Sequence, residues 1–523
     1  MDFDSIIIGG GHNGLVAAHY LASAGLKVLV LERASKVGGA CSTDELFPGY
    51  HFSTCAHSFV LFHPKFVDDM RLKAYGLQVF PRDPNSFHPF SSGKHLLFWS
   101  APEQTMESIG RISAHDAAAY PRWQEFWRRA GAIFEPFLLR EPPSFAEFAS
   151  RYKGTRDEEI FHRIMFGTLR GLLNEYFESH EVKSALASTL DSGSTYAPGS
   201  LLYGAFHASV SHQIAAHTGI GYPRGGMGSV ARAMQHSIQS QGVTVQTAAT
   251  VERILIHDGR AIGVRLTDGT EITAQVVISN ADPRRTFLKL IDREVLDSCF
   301  VEQVQRLHAL AGYMKLHCAV NGLPEWRVLP GAGLSQHHFA QASVGRSLDA
   351  IDHAWSEAQA GRLPDQCALG LVVPSIYDPA LAPAGHHTLT IWVEYAPIRP
   401  RNGTWDDLRE SVTQKLISQV AEHAPNFPDI IEQSYLYTPV DMEARMGLTD
   451  GSMHHVDMTP DQMLDQRPLP SCANYRTPIR NLYLCGSGSH PGGGVTGMPG
   501  HNAAQAVIQD WGTRLRAQSR KIG

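Results

Sequence analysis

Gly9, Gly11 and Gly14 are spaced G-x-G-x-x-G and directly follow the apolar run Ile6–Ile8. That spacing suits one piece of chemistry, the holding of a dinucleotide pyrophosphate. The first glycine permits a tight turn, the second leaves bare backbone for the phosphates, and the third lets a following helix pack closely on its sheet. Free N–H groups at the start of that helix then face the anion. Glu32 stands about 18 residues past Gly14, at the end of a second apolar run, where a carboxylate meets a ribose hydroxyl. A glycine doublet, Gly38-Gly39, follows six residues after Glu32. It suits backbone that must pass close to a cofactor laid along the first loop.

Two further clusters extend the same chemistry. YPRGGMG (222–228) precedes an extended stretch around Val251–Ile254, suited to pairing its backbone with an adenine edge. A hairpin signal at Asp268-Gly269 and a turn over Ser279–Asp282 follow, and the turn brings Asn280 back toward the nucleotide. Near the other end, Leu482–Cys485 reads as a strand leading into a glycine-rich turn. Gly492, Gly494 and Gly497 also fit G-x-G-x-x-G, but no strand immediately precedes them and no second strand–helix–strand unit follows. The segment therefore reads as backbone laid against the first cofactor. His490 lies between this strand and the glycine turn.

The elements that must position these residues are a strand at Ile6–Ile8, a helix over Gly14–Ala24 closed by Gly25, and a strand at Val28–Leu31. Since the clusters are far apart, the nucleotide domain is expected to be discontinuous: residues 1–85, 218–300 and 465–523. Residues 86–217 and 301–464 then build a substrate or cap domain. The first insertion is helical in pattern and rich in aromatics, among them Phe126, Trp127, Phe134, Phe161, Phe166, Tyr176 and Phe177. These suit either an ordinary helical core, an apolar tunnel or a membrane-touching face. The second insertion mixes strands with a helix.

Composition narrows the classes. At about 150 residues per domain, 523 residues allow three domains or fewer. Lys+Arg 45 against Asp+Glu 51 leaves a net charge of −6, which argues against a nucleic-acid footprint. Seven cysteines without a C-x-x-C pair argue against a disulfide framework or a structural zinc. Histidines number 27, but none stands in H-E-x-x-H spacing, so no metal site is expected. No G-x-S-x-G elbow follows a strand, which leaves serine hydrolysis without support. No stretch approaches ~18 consecutive apolar residues, and no leader pattern precedes Ile6. The expected location is cytoplasmic, with peripheral membrane contact as the route to a bilayer-borne substrate.

The pieces GGGHNGLVAAHYL, YPRGGMG, SNADP and LYLCGSGSHPGGGVTGMPGHNAA together resemble the phytoene desaturase-like FAD-dependent oxidoreductases. LKAYGLQVFPRDPNSFHPF, IYDPALAPAGHHTL and HHVDMTPDQMLDQRPLP resemble the branch of pyridine nucleotide-disulphide oxidoreductase domain-containing protein 2 and the flavin-type β-carotene ketolases. The resemblance implies an α/β fold: a Rossmann-like (GR2-type) FAD-binding domain with a discontinuous α+β substrate domain. It adds His12, Asn13, Arg33, Ala40, Gly486, Ser487 and Val495 to the expected FAD contacts, beside Gly494, and it sets His490 where such proteins hold the flavin ring, as the candidate for shaping or protonating near the reactive centre. Where many such flavoproteins carry Gly-Asp, this chain has Gly486-Ser487, so an acidic contact there is not assumed. The implied reaction is hydride removal from an apolar, isoprenoid- or polyene-like small molecule, with oxygen or a quinone as electron acceptor. Redox-neutral isomerisation, ketolation, amine oxidation and a flavin-bound binding role stay open.

Overall fold

The computed structural model describes residues 2–188, 193–331 and 333–522. Ile6, Ile7 and Ile8 are β-branched and buried, and they end the central strand, Phe3–Ile8, of a seven-stranded sheet. Such residues favour strands, and burial on both faces is the mark of a parallel arrangement. Val28–Leu31 pairs parallel on one side, with Ile8 opposite Leu31. Glu271–Ser279 pairs parallel on the other, with Ile7 opposite Ile278. Thr244–Gln246 and Leu482–Leu484 extend the sheet outward, also in parallel. Three distant stretches of chain therefore share one sheet. The antiparallel strands Val251–His257 and Arg260–Leu266 complete it, and Gly269, at φ +86°, turns the chain into Glu271–Ser279.

The helix after the glycine loop spans His12–Ser23. It packs against the helix Gly228–Gln239 and the C-terminal helix Met498–Ile522. Close approach is enforced by two glycines. A Cβ on Gly14 would lie 2.3 Å from the Gly9 carbonyl oxygen, and one on Gly500 would lie 2.0 Å from that of Asn13. The helix stops at Gly25, whose φ of +86° lets the Leu26 N–H return to the Leu21 carbonyl at 3.1 Å.

A second seven-stranded sheet runs Ile431–Tyr437, Gly312–Val320, His387–Ala396, Ala368–Val372, Gln341–Val344, Ser86–Pro89 and His95–Phe98. Its strand His387–Ala396 sends Leu389, Ile391 and Val393 into a core with Val412, Leu416 and Val420 of the helix Trp405–Ala421. The alternate residues Trp392 and Glu394 line a cavity on the opposite face.

Helices of the 102–217 stretch form a further helical core. Ala114–Phe134 packs along Leu202–His217. Phe126, Trp127, Phe134, Phe161 and Phe177 are buried in this helical core. Rings meet rings there: Phe148 contacts Phe134, Phe137 and Phe161 at 5.2–5.3 Å between centroids. None of the aromatics expected to suit a tunnel lines the cavity. Among the described residues, no helix is long and apolar enough to cross a membrane.

Replacing Gly14 by Ala is expected to cost about 3 kcal/mol or more, because its neighbour is backbone that has no room to yield. Gly25→Ala meets nothing within 4 Å and is expected to cost only about 1 kcal/mol for its positive φ. Denaturant unfolding of the two variants side by side checks the difference.

Candidate cofactor and substrate site

A cavity of about 640 Å³ opens at the carboxyl ends of the parallel strands, where Ile8, Leu31 and Asn280 reach its wall. Open α/β sheets place ligands at that edge. Its far wall comes from the second sheet, through Gln341, Ser343, Trp392 and Glu394.

At one end stand Glu32, Arg33 and Val251. The buried Glu32 carboxylate accepts from the backbone N–H groups of Gly10 at 2.8 Å and Ala34 at 2.9 Å. A carboxylate has about four acceptor positions, so those two bonds fix it while leaving capacity toward the cavity. Arg33 lines the wall, but its guanidinium donates away from it, to the Ala444 carbonyl at 2.8 Å.

Gly9, Gly11, His12 and Asn13 form the middle. A Cβ on Gly11 would press on Asn280 Nδ2 at 2.9 Å, and that same amide donates to the Gly9 carbonyl at 3.2 Å. The helix beginning at His12 has no side-chain cap, so its first N–H groups are open to an anion. Asn13 donates to Ser487 Oγ at 3.2 Å and leaves its buried Oδ1 without a partner. His12 is pushed down to about 4 by burial and is therefore neutral, and its Nε2–H donates to the Gly494 carbonyl at 3.1 Å. First loop and last turn are thus tied directly across the site. Gly39, Ala40, Ser487, Gly494 and Val495 join the same lining.

Four of the residues expected here stand elsewhere. Gly14, Gly38 and Gly486 lie one layer behind the wall. Gly38, at φ +133°, donates its N–H to the Gly10 carbonyl at 2.9 Å, and a Cβ on Gly486 would lie 2.8 Å from the Asn280 carbonyl oxygen. They shape the cradle without facing its contents. His490 is not brought to the cavity at all. Its buried ring bonds the Phe137 carbonyl through Nε2 at 2.8 Å, pinning the last loop to the helical insertion, and burial pushes it down to about 4. A histidine held in that way is badly placed to exchange protons with a cavity ligand.

Other lining residues escaped the sequence reading. His57, Ser58 and Leu61 follow the Gly38-Gly39 loop, and Tyr203 comes from a helix of the first insertion. His57 Nδ1 and Ser58 Oγ are buried without partners. Lys315, fully buried and held down at about 7 by desolvation, donates to the carbonyls of Ser53 and Cys55 and so fixes the approach to His57. One signal was legible: HTLTIWVEYA (387–396) alternates aliphatic residues with Trp392 and Glu394, the pattern of a strand with one face on a core and another on a site.

Arg467 carried no signal. It is fully buried and donates to six backbone carbonyls: His454, Val456, Asp457, Gln462, Ser487 and Ser489, at 2.7–3.3 Å. Burial pulls it down to about 9. The guanidinium clamps the glycine-rich turn to the 454–462 segment, whose His455 also lines the cavity.

Similarity to known proteins follows the same outline. A model of the family described as "Flavin containing amine oxidoreductase" matches residues 14–508. The chain is 32% identical to pyridine nucleotide-disulfide oxidoreductase domain-containing protein 2 of Rattus norvegicus, over 97% of this chain and 94% of that one. It is 27% identical to a polypeptide of the limonene dehydrogenase of Castellaniella defragrans, over 98% and 95% of the two chains. Its fold is similar to that of an oxidoreductase from Methanosarcina mazei, with a TM-score of 0.63 and 16% identity over 97% of this chain and 99% of the other.

Two outcomes are expected. Arg467→Lys keeps a cation but loses the planar fork, and a drop of at least ~3 kcal/mol in stability should accompany weakened flavin retention. Denaturant unfolding and chromatography of released flavin read the two effects. The second concerns acid. His12, His88 and His490 are held at about 4, 3 and 4 by burial, against 6.5 when unfolded. Unfolding therefore takes up protons between 6.5 and 4, and stability should fall as pH drops through that window, by up to about 1.4 kcal/mol per pH unit for each histidine. A series of thermal midpoints across the window, flat with pH, would contradict it.

Proposed function

The chain belongs to the flavin containing amine oxidoreductase family and is an FAD-dependent oxidoreductase, and from that premise we propose that it removes hydride from an unsaturated, largely apolar small molecule. One observation carries the reading. The residues suited to a dinucleotide and those suited to a substrate line a single continuous cavity, the first set on the parallel sheet and the second under Trp392.

The residues present fit the cofactor. Glu32 stands ready for a ribose, the uncapped helix start for the pyrophosphate, and the bare Gly11 and Gly39 for close approach. The unpartnered Asn13 Oδ1, His57 Nδ1 and Ser58 Oγ are further groups for which the cofactor or substrate supplies hydrogen bonds. When bound, FAD supplies the hydride acceptor.

The chain's own work is positioning and exclusion of water. Trp392, braced by a stacked Tyr313 at 5.1 Å, forms one side of the substrate region, and Leu61, Tyr203 and Ile220 add apolar surface. Burial, with Lys315 and Arg82 nearby, keeps His57 neutral, so its ring donates or accepts a hydrogen bond without carrying charge. The substrate loses a hydride and, from the adjacent carbon, a proton to water, so a strong protein base is not required. Oxygen or a quinone then takes the two electrons. The relative named for limonene, an unsaturated hydrocarbon, supports the apolar class. Contact with a membrane surface is the proposed route for substrates carried in a bilayer.

Purified protein should be yellow and release FAD in near one-to-one amount. Glu32→Ala should weaken FAD binding by about tenfold, the worth of one charge-assisted hydrogen bond. A colourless protein that also refuses added FAD would overturn the reading.

A further inference from the structure

The substrate end of the cavity is more polar than an isoprenoid hydrocarbon needs. Arg82, Asn85, Ser86, Gln341, Ser343 and Glu394 line it together with Trp392. Charge there is unevenly compensated. Glu394 is paired with the buried Arg346 at 2.9 Å, so its charge is already met. Among the described residues, Arg82 has no such partner. Its Nη1 donates to the neutral Gln341 Oε1 at 3.1 Å, its Nε is buried without any partner, and no carboxylate among the described residues lies within ion-pair distance of it.

The other charged and titratable groups around Arg82 do not meet this need. His57 is neutral, and Tyr222 offers a ring 6.0 Å from the guanidinium carbon. Tyr377 packs on Tyr222, and its phenol is pushed well above the usual range by burial, so it stays uncharged. The carboxylate adjacent in sequence, Asp83, is exposed and accepts from the Ser100 N–H at 2.9 Å. A guanidinium taken partly out of water without a counter-charge is costly, and the cost is relieved when an anion arrives. The planar fork of arginine matches a carboxylate in two parallel bonds. A single cation flanked by neutral amides and hydroxyls fits one negative charge, whereas a diphosphate calls for several cations.

We infer that the flavin site acts on a carboxylic acid, whose carboxylate pairs with Arg82 while its unsaturated carbon chain lies along Trp392 and Leu61. The inference rests on the FAD-dependent reading of this cavity and adds the substrate's head group to it. Arg82 would then be a specificity-determining residue, setting which carbon of the chain lies nearest the flavin.

Calorimetric titration of the protein as purified, with sorbate, the matched neutral alcohol sorbyl alcohol, and inorganic diphosphate, tests this directly. Sorbate should bind at least tenfold more tightly than the alcohol, and the advantage should shrink as salt is raised. In Arg82→Gln the sorbate affinity should fall at least tenfold while the alcohol affinity is unchanged. Arg82→Lys should fall between the two, since charge remains but the fork is lost. Equal affinity for acid and alcohol, an unchanged Kd in Arg82→Gln, no sorbate binding at all, or tighter binding of diphosphate would each overturn the inference. Should Arg82→Gln prove unstable, the wild-type comparison of acid, alcohol and diphosphate decides alone. Calorimetry reads carboxylate binding whether or not flavin is present, and the visible spectrum reads the flavin. A colourless protein that binds sorbate through Arg82 would therefore defeat the cofactor reading and spare the anion site.

Discussion

Arg467 is surrounded by carbonyl oxygens, and the shape of the cavity wall depends on it. Six carbonyls from two loops point at one guanidinium, and without it those oxygens would face one another across a dry interior. Backbone acceptors buried without donors are among the costliest defects a fold can carry. The clamp sets the position of Ser487 and, through the same turn, of Gly494, which receives the His12 hydrogen bond from the opposite wall. The first loop, the last turn and the 454–462 segment are thus held by two polar links, one from a cation and one from a neutral histidine. The glycines along the path give the clearance those links require.

The nucleotide half of the site was legible in the sequence because its chemistry acts through local rules. A tight turn, a helix start and a strand end each impose a residue type at a fixed offset, so Gly9, Gly11, Gly14 and Glu32 can be read in a single window. The substrate half follows no such rule. Trp392, Glu394, Arg82 and Tyr203 meet only because the chain at residue 82, a helix of the first insertion and a strand of the second converge, and apart from the alternation that links Trp392 with Glu394 nothing near any one of them in sequence announces the rest of the set. The His490 expectation went astray for a related reason. Its place in the chain is right beside the glycine turn, but its ring points back to Phe137, and side-chain direction is decided by tertiary packing. The aromatic helices show the same limit: their composition suits a core, a tunnel or a membrane-touching face alike, and for Phe126, Trp127, Phe134, Phe161 and Phe177 tertiary packing decides for the core.

The two sheets divide the work by the kind of surface each presents. A parallel sheet ends in loops whose N–H groups and helix starts favour anions and need little side-chain chemistry. The mostly antiparallel sheet presents alternate side chains from a rigid floor, and there Gln341, Ser343, Trp392 and Glu394 provide shape and hydrogen bonding. One half can keep a cofactor constant while the other half changes what is oxidised.

The sharing of one sheet by distant stretches of chain has a consequence for synthesis. The strand Leu482–Leu484 pairs with Glu271–Ser279, which in turn pairs with Phe3–Ile8, so the pocket's first and last walls leave the ribosome more than 400 residues apart. At about 5–20 residues per second, the glycine loop waits tens of seconds before its opposing turn exists. For the first part of that interval, until residues 244–279 have been made, the apolar strands Phe3–Ile8 and Val28–Leu31 each lack one neighbour. A nascent chain of this design is exposed to chaperones and to mispairing for about the first half of its translation, and its cavity is complete only after nearly all of it has been made.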